Sequence, residues 1–404
     1  MRVIRLVFSC LIIFSSLLPW NATAIDKTDF ITSLGTNTFA ANYIESLMVK
    51  SLLEVTQGKI QDAQNTIDQI LQTAPNFKLA YLVRGDLLMA QAQEIKSFGN
   101  VNSPEAIEDF REEAVSRIER YLAKNTSTAI PEPIWQLDPS QKHAIVVDAD
   151  KSRLYLYRNN NGMPEYIADY YVTLGKNGSE KYSEGDKRTP LGVYVAGSKL
   201  NQKLPDFYGN AAYPLSYPNE FDRHQGKNGH GIWLHGTPSS TYSRPPRASD
   251  GCVVISNPDL KSLTPILDNG KTPVVIAKNI KWLDQGQSST TKEEFTKALE
   301  LWRQDWEAQD TDKYLAHYSS QFFNQTSNFD TWAKEKRRIQ TNKSKVDIKL
   351  SNISMFRYPN MQSEMAVVTF DQDFKSANLD SKIRKRQYWN IENNQWKIIY
   401  EGPV

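Results

Sequence analysis

The chain has 404 residues, carrying 48 Lys and Arg against 46 Asp and Glu. A formal charge of +2 excludes the clear basic excess of a nucleic-acid binder, and the length allows two or three domains at roughly 100–200 residues each. Residues 1–24 have the form of an export signal: Arg2 and Arg5, an apolar run from Leu6 to Leu18, then Ala22-Thr23-Ala24. An apolar run of about 13 residues is too short to span roughly 30 Å of hydrocarbon. A cleaved signal, a periplasmic location and no stable membrane span are therefore expected. Removing Arg2 and Arg5 leaves the remaining charges balanced.

Residues 30–125 carry a helical pattern. Leu47, Leu52, Leu53 and Val55 precede Gly58; Ile60, Ala63, Ile67, Ile70 and Leu71 follow and stop at Ala74-Pro75; Leu79 to Ala92 form a third segment, and Glu105 to Leu122 a fourth. The positions of Ala63, Pro75, Tyr81 and Gly85 resemble one and a half tetratricopeptide units. So short a repeat does not form a solenoid alone, and it is expected to pack on its neighbour, on a second copy as a homodimer, or on a protein partner.

From 140 to 278 the texture changes to short strands. His143–Asp148 and Arg153–Tyr157 form a hairpin pattern, followed by Tyr166–Leu174, Val193–Gly197, Gly231–Leu234 and Pro273–Ala277 between Gly and Pro turns. This predicts a compact, mostly β domain. Residues 288–404 begin with a helix bearing Phe295, Leu299, Trp302 and Trp306, continue through Tyr314, Tyr318 and Phe322, and end in strands near 346–353, 366–374, 383–391 and 396–400. Helices followed by a curved antiparallel sheet resemble the cone-shaped α+β fold of the nuclear-transport-factor-like superfamily. The fold class is thus multidomain α+β. The basic runs at 334–338 and 382–386 are expected to be solvated faces.

The chemistry gathers in the middle region. Cys252, in Ser249-Asp250-Gly251-Cys252, is the single cysteine beyond the signal segment, and His235 precedes it in Trp233-Leu234-His235-Gly236-Thr237. An unpaired thiol with a histidine on a neighbouring element is a candidate nucleophile with its base. An imidazole beside the thiol is expected to raise its reactive fraction, lowering its pKa below the ordinary ~8.5. The amides of Gly251 and Cys252 are candidate oxyanion donors, and the Gly236 carbonyl is a candidate partner for the second nitrogen of His235. No zinc-type spacing is present, so no metal is expected among His224, His230 and His235. His224 is placed in a loop near the mouth of the site, and His230 on the opposite face of the His235 strand.

His235-Gly236-Thr237 followed by Ser249-x-Gly251-Cys252, with Thr189-Pro190-Leu191-Gly192-Val193-Tyr194 upstream, is similar to the signature of YkuD-type L,D-transpeptidase catalytic domains. The resemblance covers about 140–278. It implies Cys252 as nucleophile, His235 as general base, Gly251, Gly236 and Ser249 as orienting residues, and peptidoglycan stem peptides as substrate. The implied reaction breaks the bond between the L-centre of diaminopimelate and D-alanine through a thioacyl-enzyme, with no cofactor. Transfer to an amine makes a transpeptidase, and transfer to water an L,D-carboxypeptidase, which members with this three-part layout resemble. A non-catalytic cell-wall scaffold is the alternative of another class. Arg247, Tyr217 and Tyr213 are the candidate substrate contacts, and Arg244 through Arg247 offer guanidinium groups for stem carboxylates. The chain departs from the family's usual His at Asp250, an acid that raises the thiol pKa if it faces inward.

Overall fold

A computed structural model describes residues 40–93, 98–100, 107–123, 129–267, 270–284, 289–340, 345–359, 361–377 and 379–404. The export signal proposed for 1–24 lies outside these residues. No helix among the described residues is long and apolar enough to cross a membrane.

The helical spacing of the N-terminal region resolves into Ala40–Thr56, Ile60–Thr73, Lys78–Ala90 and Glu108–Leu122. Met48, Leu52, Ile67, Ile70, Leu79 and Val83 recur at intervals of three or four and share one core. Gly58, at φ 74°, follows the first helix in the left-handed conformation that commonly closes helices. Of the positions behind the repeat resemblance, Ala63 is fully buried. Tyr81 is half exposed, and a Cβ on Gly85 would meet nothing within 4 Å.

The fourth helix turns its polar face to the catalytic domain. Arg117 is buried, donates to Glu113 and Glu45, and lies 4.2 Å from the ring centroid of Tyr171. Arg120 and Arg153 both pair with the buried Asp169. Each of these charges keeps a partner, without which its burial would cost several kcal/mol.

The expected hairpin is present as His143–Asp148 and Arg153–Asn160, and Met163–Gly175 pairs beside it. Thr272–Ala277 lies parallel to His143–Asp148, with Gly192–Ala196 at that edge. On the other side Met163–Gly175 pairs with Val253–Ile255, which pairs in parallel with Trp233–His235, itself antiparallel to Ala212–Pro214. Arg247–Ser249 adds alongside Met163–Gly175. Helix Asn257–Leu267 packs Leu260, Leu263 and Leu267 onto this sheet's core.

In the C-terminal region helix Thr290–Glu307 buries Phe295, Leu299, Trp302 and Trp306, as their spacing predicted. Helices Thr311–Ala316 and Phe329–Ile339 follow it. The sheet order is Tyr318–Phe323, Gln395–Pro403, Asp380–Glu392, Met365–Ser376, Val346–Arg357 and Ile134–Gln136. The last strand comes from the segment ahead of the catalytic domain. Its Trp135 sits in the C-terminal core, 5.4 Å from Phe295.

The catalytic and C-terminal domains share a further core. Val146, Tyr155, Tyr157 and Val275 from one sheet meet Phe356, Tyr388 and Tyr400 from the other. Phe221, in the short helix Glu220–His224, stacks on Tyr388 at 5.8 Å. The basic run at 382–386 is not a solvated face: Arg386 pairs with Glu220, Arg384 with Asp138 and Asp371, and Lys385 with the buried Glu401. Sequence patterning missed this because each cation finds its acid far along the chain.

Candidate active site

The strand register places the two key side chains. Val253 pairs with Leu234 and Val254 with His235 in parallel, so Cys252 falls opposite Trp233, two residues before His235. Alternation puts Cys252 and His235 on the same face. One strand spacing and two residue rises separate their Cα atoms by about 8 Å.

A tight turn delivers the thiol. Gly251 has φ 121°, and a Cβ there would lie 2.7 Å from the Arg188 carbonyl. Both facts demand glycine. Ser249 Oγ accepts from the Gly251 amide at 3.1 Å and donates to the Cys252 carbonyl at 2.7 Å. Thr189 Oγ1 accepts from the Gly175 amide and donates to the Gly251 carbonyl at 3.0 Å. The upstream Thr-Pro segment therefore anchors the nucleophile turn. The Gly251 amide, committed to Ser249, is not available as an oxyanion donor, which corrects the expected pair and leaves the Cys252 amide as the candidate.

His235 is 1% exposed, and its Nδ1 donates to the Gly236 carbonyl at 2.7 Å. That bond puts the proton on Nδ1 and leaves Nε2 as the acceptor. Gly236 has no room for a side chain, because a Cβ would collide with Asn257 Oδ1. The Gly236 amide donates to the Tyr208 carbonyl, and the Tyr208 ring meets the imidazole edge-on at 5.2 Å. Burial pulls the imidazole pKa down to about 4; the Arg244 cation adds to this, and the Gly236 and Tyr208 carbonyls oppose it.

The Cys252 thiol donates to the Gly231 carbonyl at 3.4 Å. Burial pushes its pKa above the ordinary thiol value, helped by Asp250, while the Trp233 backbone, Arg244 and Lys181 pull it down. The expected depressed thiol is not what the structure holds: desolvation outweighs the neighbouring cations. At neutral pH the resting pair is a neutral thiol beside a neutral imidazole.

Other candidates fall differently. Asp250 faces outward and pairs with Lys176 at 3.0 Å, both side chains being largely exposed. Arg247 pairs with Glu112 of the helical module at 2.8 Å and lines a groove of about 470 Å³ between that module and the catalytic domain. Tyr213 is fully buried with its hydroxyl on Thr264, and Tyr217 is buried with its hydroxyl on the Asn228 carbonyl. Both rings are core residues, so they are withdrawn as substrate contacts. His230 is exposed beside Glu184 in a loop, since the strand begins only at Trp233. His224 stacks on Phe323 at 3.5 Å, at the domain junction rather than at the mouth of the site.

Two further residues influence the pair. Lys181 is buried against Asp186. Arg244 lies over the ring of Phe207 at 5.1 Å, and Phe207 in turn is 6.2 Å from His235. The sequence offered Arg244 as a guanidinium for stem carboxylates but not as a neighbour of the pair, and nothing in it marked Lys181.

The chain is similar to two solved structures over most of its length. Bd1075 of Bdellovibrio bacteriovorus is 26% identical, with a TM-score of 0.60 over 68% of this chain and 99% of that one. Pgp2 of Campylobacter jejuni, described as a helical cell shape determining protein, is 26% identical, with a TM-score of 0.56 over 70% of this chain and 97% of that one. A search of curated proteins found no match. Residues 142–276 match the family model of the YkuD L,D-transpeptidase catalytic domain, and residues 294–402 match that of the Cds6 C-terminal NTF2-like domain.

Proposed function

We propose that the protein is an exported peptidoglycan enzyme that forms a thioester at Cys252. The observation that carries this reading is the same-face placement of Cys252 and His235, with Nδ1 locked onto the Gly236 carbonyl and Nε2 left to accept a proton. Attack by Sγ on the stem carbonyl transfers the thiol proton to Nε2. The tetrahedral intermediate collapses, the carbon–nitrogen bond breaks, and Nε2 returns that proton to the departing D-alanine nitrogen. An amine or water then attacks the thioester, giving up its proton through His235 and restoring the thiol. Because the resting pair is neutral, proton transfer accompanies attack instead of preceding it.

An amine acceptor makes the enzyme an L,D-transpeptidase, and water makes it an L,D-carboxypeptidase. The near-complete coverage of Bd1075 and Pgp2 favours a shared role for the whole layout. We extend to this chain the part in cell shape that Pgp2's description states. Incubation with a disaccharide-tetrapeptide and mass analysis of the products tests the reading. A tripeptide identifies water as acceptor, and a cross-linked dimer lacking one D-alanine identifies an amine. The raised thiol pKa favours a second reading, a non-catalytic wall-binding scaffold. That reading stands if wild-type protein turns over nothing, and falls if Cys252→Ala abolishes a wild-type activity.

A further inference from the structure

The loop after His235 is built jointly by two domains. The Tyr242 amide donates to the Asn76 carbonyl at 3.1 Å, the Asn76 side chain donates to the Ser239 carbonyl at 2.9 Å, and the Tyr242 ring packs on Phe77 at 4.8 Å. Ser243 Oγ donates to the buried Glu113 at 2.6 Å. The catalytic sheet grips the next residue: the Tyr171 and Thr173 hydroxyls donate to the Arg244 carbonyl at 2.9 and 2.8 Å. The backbone of Arg244 is thus held from both sides.

Its side chain keeps one hydrogen-bond donor unpaired. One guanidinium nitrogen donates to the Ala248 carbonyl, and the group rests on Phe207. The other terminal nitrogen is buried without a hydrogen-bond partner. Leaving a charged donor so placed is costly unless a ligand completes it. The Phe207 ring lies 6.2 Å from that of His235, and the Arg244 charge acts on both His235 and Cys252, so this cation stands close to the reacting pair. In a stem tetrapeptide the leaving nitrogen belongs to D-alanine, whose carboxylate is one carbon away.

We propose that Arg244, held in place by the N-terminal helical module, receives the carboxylate of the departing D-amino acid. The inference rests on the acyl-transfer reading and assigns its specificity for a free C-terminal carboxylate. It also gives the helical module a part in the site, as the support of the loop that carries the cation. A bound carboxylate offsets the Arg244 charge that now disfavours protonation of His235, so substrate itself makes the imidazole a stronger base.

The test compares a disaccharide-tetrapeptide ending in D-alanine with the same compound ending in D-alaninamide. Wild-type protein is expected to prefer the acid by about 10- to 100-fold in kcat/KM, the worth of a charge-assisted hydrogen bond. Arg244→Gln is expected to remove that preference, chiefly through KM; Arg244→Lys restores part of it. The inference is overturned if Arg244→Gln keeps the acid preference or slows both substrates equally. Calorimetric binding of the acid and the amide to Cys252→Ala, with and without Arg244→Gln, reads the same contact without turnover. Acid-selective binding that vanishes with Arg244→Gln upholds the contact even if wild-type protein is inactive, in which case only the acyl-transfer reading fails. Equal binding of acid and amide refutes the contact.

Discussion

The thiol titration is the sharpest test of the neutral-pair geometry. Burial raises the Cys252 pKa above its ordinary value and lowers the His235 pKa to about 4. At pH 7 the thiolate fraction of Cys252 is then smaller than that of a free cysteine of pKa ~8.5. Alkylation by iodoacetamide followed by mass analysis is expected to speed up about tenfold per pH unit from pH 6 to 8.5, without a plateau. His235→Gln, which keeps the ring's approximate volume but removes its titration, is expected to leave that curve within about half a unit, because no ion pair is lost. Arg244→Gln is expected to move it upward, since a cation that favours the thiolate disappears. A plateau below about pH 7.5 that shifts upward by two units or more in His235→Gln refutes the reasoning. It would mean that a thiolate–imidazolium pair forms despite the burial.

Four further outcomes follow from the same structure. Activity is expected to hold from pH 8 down to about 5 and to be halved near pH 4, where buried His235 takes up a proton; a half-point near 6.5 contradicts this. The same group affects stability: unfolded His235 binds a proton near the ordinary imidazole value of 6.5 and the folded one only near 4. Its contribution of about 3 kcal/mol, present above pH 6.5, is therefore lost as pH falls toward 4, which denaturant titrations across that window can read. Gly236→Ala drives a methyl into Asn257 Oδ1, which accepts from the Asn210 amide at 2.9 Å, and is expected to cost about 1–3 kcal/mol and to lower kcat; a double-mutant cycle with Asn257→Ala should show coupling, and strict additivity counts against it. Phe221→Ala removes the ring between Tyr388 and Tyr358 and is expected to cost about 3–5 kcal/mol and to split one calorimetric transition of the catalytic and C-terminal domains into two.

Much of the architecture was legible because it rests on local periodicity. Phe295, Leu299, Trp302 and Trp306 face one way on any helix, and His143–Asp148 with Arg153–Asn160 alternates around a short turn. The catalytic pair was legible for a similar reason: Gly251 and Gly236 mark places where backbone and neighbours leave no room for a Cβ, and such positions leave a trace in the sequence. The Gly236 carbonyl as partner of His235 also followed, since it lies one residue away.

What tertiary structure alone decided concerns groups brought together from far along the chain. The sequence offers Tyr213 and Tyr217 as substrate contacts, yet folding buries both rings. Trp135 belongs to the C-terminal core although it precedes the catalytic domain, and Arg386 meets Glu220 across 166 positions. The thiol pKa was misjudged from sequence because a neighbouring imidazole is visible in a motif, whereas desolvation depends on everything packed around the sulfur. Arg244 illustrates the same division: its charge is written in the chain, but its position over Phe207, with one nitrogen left unpaired, exists only once the helical module and the catalytic sheet close on its loop.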